Sequence, residues 1–156
     1  MKSLLASMAL VFAFCAAEAA AAEFPKTGEA EYDTYYVYST AAKIDSGAGM
    51  GLIVDVTGIT SNVKGEAPFH DMSVRCVGHQ SVVGDALDFN GSCVETDKDG
   101  DNVFTTFDTQ NHYLKGGTGK YKGITGTIPY TVTHLHETVD GHAASIVNHK
   151  ATWEIK

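Results

Sequence analysis

The chain has 156 residues, of which 44% are hydrophobic, and a formal net charge of −8 at pH 7. That length is one domain's worth. The negative balance repels phosphate backbones and anionic lipid surfaces, so nucleic acid is not an expected partner.

The first element in chain order is a leader. Lys2 provides a short positive start, Leu4 to Ala17 is almost wholly apolar, and Ala20-Ala21-Ala22 fits the small-x-small cleavage rule. Residues 1–22 therefore read as a secretory signal peptide, with residues 23–156 as the mature domain. The apolar run is shorter than the roughly 20 residues a membrane span needs, so no span is expected. Phe14 before Cys15 does not suit a lipid-attachment site, which wants a small residue there. Lys2 and Glu18 leave together, so the negative balance survives cleavage. The expected location is secreted or periplasmic.

Export changes the cysteine arithmetic. Cys15 goes with the leader, leaving Cys76 and Cys93, and an even count in an oxidising compartment reads as a disulfide. Two buried free thiols are the alternative. A bridge over so short a loop is worth roughly 3 kcal/mol in the chain-entropy account. No unpaired mature cysteine is then left to act as a nucleophile.

No long stretch repeats its apolar residues at helical spacing. Strand patterns recur instead, near residues 29–39, 50–58, 72–79, 85–95, 102–108, 128–139 and 144–155, with a shorter one at 111–114. Six to eight antiparallel strands in this length make an all-β barrel or sandwich, and closure removes the exposed edges. Asp99-Gly100 and Asp140-Gly141 suit the positive backbone angles of tight hairpins. Tyr32, Tyr35, Tyr36 and Tyr38 crowd the first strand. Alternation puts Tyr32, Tyr36 and Tyr38 on one face, which the pattern does not orient.

A two-residue turn at Gly141-His142 fixes a register for the last hairpin. His134 then faces His149, His136 faces Val147, Val132 faces Ala151, and Tyr130 faces Trp153. One face carries Tyr130, Val132, His134, His136, His149 and Trp153, and the other is rich in Thr, Lys and Glu. The first face is read as interior, because a one-residue slip would turn a strand's whole apolar set to water. A polar outer face also argues against an outer-membrane barrel.

This predicts His134, His136 and His149 as candidate catalytic residues, with Tyr130, Val132, Trp153 and Tyr36 lining a ligand site. Three converging imidazoles suit proton transfer, a zinc ion, or plain hydrogen-bonded packing. No metal or other cofactor is assigned. His70, His79, His112 and His142 are read as loop or surface residues.

The glycine-rich run Gly116 to Gly126 is not a P-loop, since Tyr121 follows Lys120 where Ser or Thr is needed. Asp97, Asp99 and Asp101 alternate like a calcium loop but lack the glycine at its sixth position, where Asn102 stands. A solvated turn is the simpler reading.

Those two runs carry a resemblance. Gly116-Gly117-Thr118-Gly119-Lys120-Tyr121-Lys122-Gly123-Ile124-Thr125-Gly126 resembles the GTGKYxGIxG signature of bacterial secreted proteins with an allene oxide cyclase-like barrel, a fold shared with plant dirigent proteins. Gly91 to Asp101 resembles the GxCVxTDxDGD segment of the same group, as do Pro68-Phe69-His70 and Arg75-Cys76. The resemblance implies a single antiparallel eight-stranded β-barrel, calycin-like, with an internal pocket. It implies a small hydrophobic or phenolic partner, no cofactor, and a homo-oligomer, since dirigent proteins and plant cyclases often assemble as trimers. The expected function is an exported barrel binding such a molecule. The alternatives are a cofactor-independent isomerase or cyclase in the same pocket, and a structural or interaction protein with a filled barrel.

Overall fold

The computed structural model describes residues 24–65, 68–134 and 141–156. The leader expected at residues 1–22 and the candidate catalytic residue His136 fall outside them.

The described chain forms a closed antiparallel barrel in which each strand pairs with the next and the last returns to the first. The strands are β1 (Thr27–Asp45), β2 (Gly49–Asn62), β3 (Ser73–Val83), β4 (Ala86–Thr96), β5 (Asn102–Phe107), β6 (Asn111–Gly117), β7 (Ile124–His134) and β8 (His142–Ile155). The all-β barrel predicted from the sequence is thus the fold, and closure comes from the long pairing of Tyr32 with His149 and its neighbours along β1 and β8.

Period-two alternation decides what faces inward. On β1, Tyr32, Thr34 and Tyr36 are buried while Tyr35 and Val37 are exposed, which settles the orientation of the tyrosines. On β3 and β4, Val74, Cys76, Cys93 and Glu95 are buried between exposed neighbours. Cys76 lies directly opposite Cys93, and the two form the expected disulfide.

One end of the barrel is plugged. The segment after β2 folds beneath the strands and inserts Phe69, fully buried, which stacks on Tyr32 at 4.8 Å and meets Trp153 edge-on at 6.0 Å. Phe69 adopts a positive φ of 61°, and His70 Nδ1 holds the turn by accepting from the Asn62 amide at 3.1 Å. Phe24 closes the plug against Tyr121 and Trp153, and the Trp153 indole donates to the Pro25 carbonyl at 3.1 Å. Trp153 therefore belongs to the closed end.

The two resembling motifs meet at that same end. The glycine-rich run forms a short 3₁₀ turn, Gly119–Tyr121, packed on the Asp97–Asp101 turn. A side chain at Gly119, where φ is +49°, would overlap the Asp101 carboxylate. The Lys120 ammonium sits 2.6 Å from both Asp97 and Asp99, in the place a bound cation would take. Burial pushes the Asp97 carboxyl up, but Lys120 and the backbone amides of Asp101 and Asp99 outweigh it and hold it low. Among the described residues no group of His, Cys, Asp or Glu side chains is arranged to hold a metal ion. Lys120→Met is expected to cost about 1 kcal/mol, since the pair is only partly buried. The loss should shrink in 1 M salt, where the Debye length is about 3 Å. Urea denaturation at low and high salt checks both.

The final hairpin departs from the predicted register. Tyr130 lies opposite His149 rather than Trp153, and His134 opposite Ser145 rather than His149. The displacement is four residues. An even shift keeps every side chain on its face, so the alternation is right and the heights are wrong. The physical reason is that this register does not centre the hairpin on Gly141-His142: the described β7–β8 pairs, the last of them His134 with Ser145, place its midpoint two residues earlier in the chain. No helix of the described residues is long and apolar enough to cross a membrane.

Candidate functional site

The hairpin tips of β1–β2, β3–β4 and β5–β6 lie opposite the plug. There the inward side chains are only partly buried: Tyr38, Leu52, Phe89 and Tyr130. Beneath them lie Tyr36, Phe107, His112 and His149, all buried. This open end of the interior is the candidate site.

His149 comes from β8, where alternation with Val147 and Ala151 turns it inward. It stacks on Tyr32 at 4.8 Å, meets Tyr36 edge-on at 6.3 Å, and stands perpendicular to His112 at 5.1 Å. Its Nδ1 lies 3.3 Å from the Thr34 hydroxyl, and its Nε2 has no partner among the described residues. Burial holds its pKa well below the ordinary imidazole value, and the neighbouring His112 pushes the same way.

His112 is a correction to the sequence reading, which places it on a loop or surface. It is buried on β6, on the same face as Leu114, stacked on Phe107 at 5.2 Å and edge-on to Tyr130 at 5.3 Å. Burial lowers its pKa to about 4, against a small opposing pull from Asp108. Both imidazoles are therefore neutral at physiological pH.

Asp108 builds the rim. Its carboxylate accepts from the Gln110 and Asn111 amides at 2.8 and 2.9 Å and from the Tyr113 hydroxyl at 2.7 Å. Those bonds hold its pKa down, the Gln110 amide foremost. Its carbonyl accepts the Tyr130 hydroxyl at 2.6 Å, which fixes that ring over His112. Tyr38 is tied in turn to Ser145, the two hydroxyls 2.8 Å apart.

Glu95 is absent from the residues predicted for the site. It is 2% exposed on β4, and burial raises its pKa to about 7. The signal is present in the sequence: Glu95 stands two residues beyond Cys93, whose inward disulfide already assigns the face. For His112 the matching signal is Leu114.

The structure thus brings together His149, Tyr130 and Tyr36 of the predicted site and adds His112 and Glu95. It does not bring His134 there. His134 is exposed, and Val132 is 40% exposed. Both lie beyond Pro129, where β6 ceases to pair with β7, so no neighbouring wall covers them. Trp153 is in the plug.

Hollows among the described residues open on the outside. One of about 610 Å³ lies between the β1–β8 wall and the segment after β2, bordered by Gly28, Lys64, Pro68 and Trp153. The other, about 430 Å³, lies over β3–β5 beside Val77, Val94 and Phe104, which are exposed. Neither is lined by His112 or His149.

No protein-family model and no curated protein matches this sequence. Among solved structures the chain is similar to the pterocarpan synthase dirigent protein GePTS1, with a TM-score of 0.52 and 11% identity over 85% of this chain and 94% of that one. It is similar to the pterocarpan synthase dirigent protein PsPTS1 at a TM-score of 0.51 and 11% identity, over 85% of this chain and 99% of that one. At that identity the likeness is one of fold, and the barrel is a dirigent-like barrel.

Proposed function

We propose that this protein is an exported barrel that holds a small hydrophobic or phenolic molecule at the open end of its interior. The observation that carries the reading is the aromatic collar of Tyr38, Phe89 and Tyr130 over a floor of Tyr36 and two neutral imidazoles. A concave, mostly apolar site with a few converging polar groups is the general form of a small-molecule pocket. Planar rings stack on such a collar at low entropic cost, since the collar tyrosines are already tethered to Asp108 and Ser145. The dirigent-like fold supports the same reading. Export is supported by the leader pattern and by a disulfide of the kind that persists in oxidising compartments. A thermal-shift screen of apolar and phenolic compounds tests it. A binder raises Tm in proportion to RT ln(1 + [L]/Kd). A flat response across the screen would end the reading.

A second reading, a cofactor-independent isomerase or cyclase at the same open end, is favoured by Glu95. A carboxyl that titrates near neutrality can give or take a proton at working pH. The two readings part on whether a bound compound is recovered unchanged or as an isomer.

A further inference from the structure

Buried polar atoms in folded proteins nearly always find partners, so those that do not ask for a missing occupant. Inside this barrel, three side chains that are at most 2% exposed each leave one atom unpaired among the described residues: Glu95 Oε2, Thr105 Oγ1 and His149 Nε2. Their placement is connected. Thr105 lies opposite Cys93 and Glu95 opposite Val103, which makes Glu95 and Thr105 diagonal neighbours on the paired strands β4 and β5. His149 comes from β8, on the far wall. The rings of Tyr32 and Tyr36 pack on His149, and both phenols lie within electrostatic reach of Glu95. All three unpaired atoms therefore belong to inward-facing, buried side chains, with the rings of Tyr32 and Tyr36 linking the Glu95 wall to His149.

We propose that Glu95, Thr105 and His149 form a polar anchor that takes one hydroxyl or carbonyl oxygen of an otherwise apolar ligand entering from the open end; this rests on reading the barrel as ligand-holding. The three groups together offer both donors and acceptors: a carboxyl, a hydroxyl and a ring nitrogen. A hydroxyl group, itself donor and acceptor, satisfies two of them at once, whereas an alkyl group leaves all three unmet. A site built to hydrogen-bond an oxygen discriminates strongly against the analogue that lacks it. An ordered water is the competing occupant.

The test uses p-cresol and p-xylene, which differ only by a hydroxyl in place of a methyl, with dissociation constants from NMR titration of the purified protein. Transfer from water alone favours p-xylene, so a preference for p-cresol reports the anchor and not apolar burial. The expected result is a preference of about tenfold for p-cresol. Thr105→Val and Glu95→Leu should each erase most of that preference while leaving p-xylene binding within about twofold. Thr105→Val is isosteric and decides the matter if Glu95→Leu does not fold. Equal affinity for the two probes, the outcome if the anchor holds only water, would overturn the anchor and leave the ligand-holding reading standing. A preference that survives both variants would also overturn it. Failure of both probes to bind at all would overturn that reading and the anchor with it.

Discussion

Glu95→Gln is expected to stabilise the protein by about 3 kcal/mol at pH 8 and to leave its stability unchanged at pH 4. The native carboxyl titrates at about 7 against an ordinary 4.5. Between those values the folded chain keeps a proton that the unfolded chain has released, so native stability falls as pH rises through the window. Each pH unit between the two values is worth about 1.4 kcal/mol, and the cost is complete above pH 7. Glutamine keeps the shape and the hydrogen-bonding atoms and cannot ionise, so it removes that cost. Below pH 4.5 both proteins carry a neutral group and should coincide. His112 and His149 work in the opposite sense: their depressed values mean the unfolded chain takes up protons first as pH falls below about 6.5, which destabilises the native state. That loss is common to both proteins and cancels in the difference. Urea denaturation at pH 4, 6 and 8 is the measurement. A variant weaker than the parent at pH 8 would mean that a partner compensates the buried carboxylate.

Removing the Cys76–Cys93 bridge by Cys76→Ala with Cys93→Ala is expected to cost about 2–5 kcal/mol. The bridge joins residues 17 apart in sequence and lies in the packed layer formed by Tyr36, Val54, Val56, Val74 and Phe107. Two effects add: the unfolded chain regains the entropy of the closed loop, and two buried side chains are truncated in a close-packed interior. For a domain of this size the loss corresponds to roughly 10 °C in Tm. Calorimetry of the double variant checks it, and reduction of the parent protein separates the cross-link from the truncation. A change of less than about 3 °C would place the stabilisation in the barrel pairing alone.

Much of the fold is legible along the chain because strand alternation is a local signal. Thr34 and Tyr36 share one face and Tyr35 takes the other by a rule that needs only neighbours, although only burial in the barrel shows the first to be the inner face. The disulfide follows from a count and a compartment. The candidate site is only partly legible. Alternation places His149 on the right face, but it points to companions on the same hairpin, at His134 and His136. In the barrel only Tyr130 comes from the same hairpin, and its other partners come from β1 and β6, strands far off in sequence, through rings such as Tyr32 and His112 that meet it only after closure. Phe69 shows the same limit: nothing in Pro68-Phe69-His70 by itself says that the ring turns under the barrel and seals one end.

What the order of residues determined by itself is parity: which side chains share a face, and which cysteines remain to pair. Height along the barrel axis was decided by the tertiary structure. Parity repeats every two residues, so a hairpin displaced by four satisfies the same pattern, and only the lengths of neighbouring strands say where the wall stops. That is why His149 ends up buried beneath the collar while His134, on the same face of the adjoining strand, stands in water.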